Sequence, residues 1–388
     1  MKCVHKKLFA ALLACALCVG GVARAWADVK IDAENFPDEK FRQWVKEEAA
    51  GGKDVLTDKQ RAAVTEIDFI FHGVYGLTSL KGLEHFTALK SLNCNNNQLT
   101  RLDLSKNAAL EQLRCDGGAL ETLILPNSAS LGFIDCSQNR LTELDLSGVP
   151  ELRQLTCNDN GLTKLNLFDN PKLTSLNCSA NKLTKLDLAD VPELEWLECD
   201  DNGLTELDAH AAPKLIGLSC ADNALTELEL FNNSELTSLN CGRNKLTELD
   251  LSNSPKLEVL DCRESKLTEL DLSKNAALER LYCGGNGLKK LDLAHITGLT
   301  QLYCAGNPIT ELDLSKNEKL EEADLPAAAA VTLANGDRID MADFQLRRTA
   351  EGKYQLDLSK YADKVDVLVY PPGAVEDDEV PVTSSGGA

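Results

Sequence analysis

From Leu89 onward, apolar residues fall at positions one, four, six, eleven, fourteen and sixteen of a 21-residue period, with polar residues filling most of the gaps. Position one is Leu in eleven successive units, from Leu89 to Leu299, and again at Leu320. Position four departs from Leu only at Ile134, position eleven only at Ile309, position sixteen only at Ala209, and position fourteen never. Around positions three to seven, apolar and polar residues alternate with period two. That predicts a short strand whose positions four and six point inward. One such unit cannot bury its leucines alone, so the units must stack, each supplying the core of its neighbour. In-register stacking gives a parallel sheet of strands about 4.8 Å apart, some 50 Å long for the whole array.

A 21-residue leucine period lies within the leucine-rich-repeat range. The expected fold is therefore a leucine-rich-repeat solenoid, with its parallel β-sheet on the concave face, a helical N-terminal cap and a small β C-terminal cap. Residues 28–88 read as that helical cap with a divergent first repeat. "FPDEKFRQWVKEEAAGG" places Phe41, Trp44 and Val45 at helical spacing, and Thr57 and Gln60 fit a capping box for a second helix. Residues 89–325 are the array of eleven units plus a partial one, which loses its leucine and cysteine in "EEADLP". Residues 326–370 contain short alternating runs separated by Asn-Gly and Glu-Gly turns, expected to form the β cap. Residues 371–388, rich in Pro, acid, Gly and Ser, read as a disordered tail.

Position six is cysteine in every unit: Cys94, Cys115, Cys136, Cys157, Cys178, Cys199, Cys220, Cys241, Cys262, Cys283 and Cys304. Equivalent Cβ atoms on in-register parallel strands lie about 4.8 Å apart and point the same way, whereas a disulfide needs about 3.5–4.5 Å and converging vectors. Eleven is also odd, and no C-x-x-C pair or nearby histidine offers a metal set. The ladder is expected to be buried thiol acting as a small hydrophobe. Position nine is Asn in nine of eleven units, the exceptions being Gly118 and Ser265. A buried Asn column satisfies the backbone where the strand turns away, so those two units should be locally weaker.

The first 27 residues carry Lys2, Lys6 and Lys7, then an apolar run from Leu8 to Val22, then small residues at A-x-A spacing, the pattern of a secretory leader cleaved after Ala25 or Ala27. Cys15 falls within the apolar run, which continues past it, against a lipid-modified cysteine. The whole chain has 40 Lys+Arg against 61 Asp+Glu. With Arg24, four basic residues leave with the leader, so 36 remain against 61, a net charge of −25. Such a surface makes nucleic acid and anionic membrane poor partners. No later segment is long and apolar enough for a membrane span.

The "LxCxxNxLTxLDLS" units and the segment "FPDEKFRQWVKEE…LTDKQRAAVTEID" resemble the internalin group of bacterial leucine-rich-repeat proteins, the type with 21-residue cysteine-ladder repeats above all. The resemblance covers residues 29 to about 325. It implies a secreted or cell-surface protein that binds macromolecules of a host or neighbouring cell, often as an adhesin. It also raises a calcium question, because the cap helices of this group often resemble an EF-hand. Here the ligand positions fall on Ala49, Gly51, Lys53 and Gln60, which do not make a calcium set. No metal and no cofactor are expected.

Positions three, five, seven and eight are expected on the concave face, where solenoids bind. Most are small and polar. The exceptions are Phe133 and Trp196 at position three and Tyr282 and Tyr303 at position five, four expected exposed aromatics in a chain with 5% aromatic residues. Glu198, Asp200, Asp201 and Asp222 gather near the middle, and Arg243, Arg263 and Arg280 further along. An Arg/Tyr patch suits protein or glycan recognition. None of His5, His72, His85, His210 and His295 lies where it would meet a nucleophile or carboxylate on the concave wall, so no catalytic residues are assigned. The expected function is exported, adhesin-like recognition of a protein or glycoprotein ligand by a monomer. The alternative is a passive envelope or spacer protein with no specific ligand.

Overall fold

In the computed structural model, residues 28–327 and 329–333 are described, together with the strands Arg338–Asp340, Arg347–Arg348, Tyr354–Leu356 and Asp366–Leu368. The expected leader (1–27), the tail (371–388) and the connections among the last strands lie outside the described residues. The chain folds as the leucine-rich-repeat solenoid. Each turn contributes a three-residue strand at positions three to five, such as Ser175–Asn177 and Trp196–Glu198. Neighbouring strands pair in parallel with a shift of 21, Ser175 opposite Trp196 and Trp196 opposite Gly217. The resulting concave sheet has 16 strands among the described residues. It opens with Glu66–Asp68, and past the array Glu322–Asp324 still adds a strand, although Ala323 has replaced the leucine.

The N-terminal end is closed by helix α1 (Glu39–Trp44), a π-helical turn (Val45–Ala49) and helix α2 (Asp58–Ala63). Asp38 caps α1 through the amides of Lys40 and Phe41, and its other oxygen accepts from Thr78, fixing α1 to the first turn. Thr57 and Gln60 form the expected capping box of α2. Phe36, Phe41, Val45 and Phe69 are wholly buried with Trp44, covering leucines that the first turn would otherwise expose. Phe69 stands at the cysteine position of that divergent turn.

All eleven array cysteines are buried free thiols, in one column between the strand leucines and the position-eleven leucines. The asparagine column works as a set of bridges. Asn181 Nδ2 donates to the carbonyls of Cys157 (3.0 Å) in the preceding turn and of Cys178 and Ser179 (both 3.1 Å) in its own, and its Oδ1 accepts from the Leu162 amide (2.9 Å). At Gly118 a side chain would run into Asn139 Oδ1, and Ser265 Oγ is buried without a partner among the described residues.

Two features of the turn go beyond the sequence expectation. Position eight has positive φ in every unit, from Asn96 and Gly117 to Gly306, including Ala180, Arg243 and Glu264, which rarely adopt it. A second asparagine column stands at position nineteen, among residues that look variable. Asn107, Asn170, Asn233, Asn275 and Asn317 are each at most 3% exposed. Each donates to two carbonyls of the preceding turn, as Asn170 does to Leu146 (3.3 Å) and Val149 (3.1 Å).

Candidate functional site on the concave face

Strands about 4.8 Å apart leave little room for large side chains to stand upright, and those at positions three and five lie down on their neighbours. The four aromatics expected to be exposed are therefore only partly so, a correction to the sequence reading. Phe133 lies under the Arg114 guanidinium, 4.7 Å from its ring centroid. The six-membered ring of Trp196 covers Gly217 on the next strand. Tyr282 and Tyr303 stack with centroids 4.9 Å apart and planes 16° from parallel.

The tyrosine stack extends into a column, because the Arg263 guanidinium lies 5.3 Å from the Tyr282 centroid. Arg263 is in turn held by Asp261, with Nη2 2.8 Å from Oδ2 and Nε 3.1 Å from both oxygens. The Tyr282 hydroxyl donates to Gln301 Oε1 (2.8 Å), whose amide reaches Glu322 (3.0 Å). Burial raises the Tyr282 pKa despite Arg280 nearby. Arg243 stands between Asp222 and Glu264, 3.6 Å from each. Of the three arginines singled out, two are thus engaged by carboxylates of the same face, and the basic half of the expected charge sorting is largely neutralised from within. Arg280 forms no ion pair among the described residues.

The acidic half is more concentrated. Glu198 accepts from Asn177 Nδ2 (2.5 Å), and Asp200 accepts from Ser219 Oγ (2.6 Å) and the Ala221 amide (2.7 Å). Burial raises both carboxyl pKa values, with Asp200 repelling Glu198 and Asp222 repelling Asp200. The structure thus brings Glu198 and Asp200 together beside Trp196, and Arg263, Tyr282 and Tyr303 together three to five turns on. Phe133 stands apart, three turns before Trp196.

The sequence reading passed over Arg114, although it is the basic residue at position five beside an aromatic. It also passed over the most exposed aromatics: Phe71 (84%) and Tyr75 (51%) in the loop after the first strand, and Phe168 (66%) and Phe231 (72%) on the outer side. For Phe168 and Phe231 the signal was a phenylalanine at position seventeen, where other units carry mostly Ser or Ala. No cluster of three or more metal-ligating side chains occurs among the described residues. No helix among them is long and apolar enough to cross a membrane.

No protein-family model matches the chain, and no curated protein matches it. Among solved structures, the functional domain of InlJ from Listeria monocytogenes, which includes a cysteine ladder, is 35% identical, covering 80% of this chain and 73% of that one with a TM-score of 0.68. The internalin InlF of Listeria monocytogenes is 22% identical over 77% of this chain and 98% of its own, with a TM-score of 0.58. YopM, a leucine-rich effector protein from Yersinia pestis, is 29% identical over 64% and 66%, with a TM-score of 0.51.

Proposed function

Because the chain belongs to the internalin group of leucine-rich-repeat proteins, we propose that it is an exported, adhesin-like recognition protein whose concave face binds a protein or glycoprotein ligand. The observation that carries this reading is the Tyr282–Tyr303 stack with its Arg263 lid. It presents a preformed aromatic and guanidinium surface, whose ordering cost is met before any ligand arrives. Trp196 with Glu198 and Asp200 is a second contact region, and Phe133 with Arg114 a third. In this reading the protein works as a secreted or surface-held monomer, released by a leader over residues 1–27. It acts by recognition rather than catalysis.

The chain from Asp28 onward is to be tested against mucins, extracellular-matrix proteins and a glycan array, beside Tyr282→Ala/Arg280→Ala and Trp196→Ala variants. Saturable binding lost in one variant identifies the region that carries it. Binding unaffected by either removes the Tyr282 and Trp196 regions from the concave assignment. A second reading, a passive envelope spacer, draws support from the carboxylates that occupy Arg243 and Arg263. Silence across the panel favours it.

A further inference from the structure

Of the aromatics on the concave face, three already carry a neighbour on the ring. A guanidinium stands over Phe133, Tyr282 lies between a guanidinium and Tyr303, and Tyr303 has Tyr282 stacked on it. Trp196 differs: among the described residues no aromatic ring and no cation stands over its indole. Its six-membered ring rests above Gly217, and the position-three row beside it is otherwise Ser175 on the strand before and Ser238 on the strand after Gly217. Over the three strand spacings from Ser175 to Ser238, about 14 Å, nothing taller than serine stands next to the indole in that row. The ring face turned away from Gly217 opens onto the concave space.

The polar groups around this ring are held in place but not used up. Glu198 is fixed through Oε2, which takes the Asn177 amide, and Asp200 through Oδ1, which takes the Ser219 hydroxyl and the Ala221 amide. Glu198 Oε1 and Asp200 Oδ2 receive no hydrogen bond among the described residues. Asn240, two strands past Glu198 in the position-five row, is fixed through Oδ1 by the Gly242 amide (3.3 Å), and its NH₂ has no acceptor among the described residues. The Trp196 indole N–H lacks one too and is open to solvent. Two acceptors and two donors thus surround one apolar face. A cation could answer the carboxylates but not the N–H groups. An anion could answer the N–H groups but would meet Glu198 and Asp200, with Asp222 behind them. A hydroxyl both donates and accepts, and a pyranose adds a C–H face that suits the negative face of an indole.

We propose that Trp196 is the floor of a subsite for an uncharged pyranose, with the C–H face of the sugar on the indole and its hydroxyls shared among Glu198, Asp200, Asn240 and the indole N–H. This deepens the concave-face recognition reading and rests on it: at this end of the face the protein takes the saccharide part of a glycoprotein ligand.

The test titrates the chain from Asp28 onward with lactose, cellobiose, α-1,2-mannobiose and N,N′-diacetylchitobiose, and with acetyl-lysine-amide as the cationic control. Saturation-transfer NMR follows the sugar protons, so the readout survives loss of the tryptophan. At least one disaccharide should bind saturably, with an affinity that does not change with salt, and acetyl-lysine-amide should not compete with it. Binding should be at least about tenfold weaker in Trp196→Ala and in Glu198→Gln/Asp200→Asn. Trp196→Phe keeps a ring face and should retain most of what Trp196→Ala loses, and urea midpoints of all three variants are measured alongside. No saturable binding of any of the four sugars, unchanged binding in Trp196→Ala, or full competition by acetyl-lysine-amide overturns the proposal. If the sugars fail while a protein of the panel above binds and is lost in Tyr282→Ala/Arg280→Ala, the sugar subsite falls and concave recognition stands. If the panel is silent as well, both fall.

Discussion

The six-membered ring of Trp196 occupies the space above Gly217 that any other residue would fill: a Cβ there would lie 2.3 Å from Cζ3 and 2.4 Å from Cε3. The indole is thus laid along the sheet by the absence of a side chain 21 residues later. Gly217→Ala should push the ring off the sheet at a cost of about 1–3 kcal/mol. The cost should largely disappear in a Trp196→Ala background, giving a strong coupling in a double-mutant cycle of urea midpoints. Equal costs in both backgrounds would place the glycine's role elsewhere.

Arg263 and Arg280 lie side by side in sequence pattern but differ in structural debt. Arg263 covers Tyr282 and neutralises Asp261, whose side chain is 4% exposed. Burial works against its charge, yet hydrogen bonding and attraction from Asp261 leave its pKa raised. Arg263→Ala strands a buried carboxylate and should cost about 3 kcal/mol, whereas Arg280→Ala should stay within about 0.5 kcal/mol. Denaturation curves of the two variants decide this. A binding defect in Arg280→Ala would then report on contact, and one in Arg263→Ala on folding.

The same contrast marks what was legible in the sequence. The solenoid, the inward cysteines, the position-nine asparagines and the Thr57–Gln60 cap were readable, because each is a periodic burial pattern or a local hydrogen-bond motif. The position-nineteen column was not, because its inward role is filled in several ways, by Asn170 or Asn233 in some turns, by Ser128 or Ser254 in others, and by Val149, Val191, Ala212 or Ile296 in the rest. Positive φ at position eight hid behind side chains as unlike as Ala180, Arg243 and Glu264. The "LTELDLS" aspartates close the outer turn, as Asp145 Oδ1 does by accepting from the Ser147 amide (3.0 Å), a role their charge alone does not signal. On the concave face the residue types were visible, but their lateral partners were not. Arg263 with Asp261 and Trp196 with Gly217 are relationships between side-chain directions, which a one-dimensional pattern does not contain.

Burial should make the cysteine ladder chemically silent. It pushes the thiols of Cys94, Cys178 and Cys283 up to about 12, each with like-charged carboxylates nearby. Thiolate is the reactive form, so the native chain from Asp28 should resist alkylation at pH 8 and react at all eleven thiols in denaturant. Mass spectrometry of iodoacetamide-treated protein counts the adducts. Several rapid adducts on the native chain would mean that turns open far more often than a nearest-neighbour stack allows.

The two asparagine columns should differ in worth. Asn181 serves three carbonyls and the Leu162 amide with every polar atom used. Asn170 serves two carbonyls, and its own Oδ1 is buried without a partner among the described residues. Replacement by valine leaves the Leu162 amide without its acceptor in the first case, although the three carbonyls keep donors from neighbouring turns, and should cost about 2–3 kcal/mol. In the second it also removes an unsatisfied oxygen, so the cost should be about 1 kcal/mol or less. Urea unfolding of Asn181→Val and Asn170→Val gives the ordering directly. A larger loss at Asn170 would mean that the outer turns, not the strand exits, limit stability.

Acidification should reveal two carboxylate groups of opposite sign. Hydrogen bonds from Ser147, Ser252, Ser273 and Ser315 hold Asp145, Asp250, Asp271 and Asp313 below the ordinary carboxylate pKa. Their contribution is complete above the unfolded value and is lost as pH falls through their folded values. Glu198 and Asp200 are raised above 4.5 and 3.8, by burial first and then by like charge. Between those values and their folded pKa the native state holds more protons than the unfolded chain, so stability rises as pH falls through that window. The urea midpoint should therefore climb on moving down from neutral pH before it collapses below about pH 4. Asp200→Asn keeps an oxygen for Ser219 and Ala221, so it should raise the midpoint at neutral pH and flatten the climb when combined with Glu198→Gln. A wild-type midpoint that only falls as the pH drops from neutral would show that these two carboxylates are better solvated than their place beside Trp196 implies.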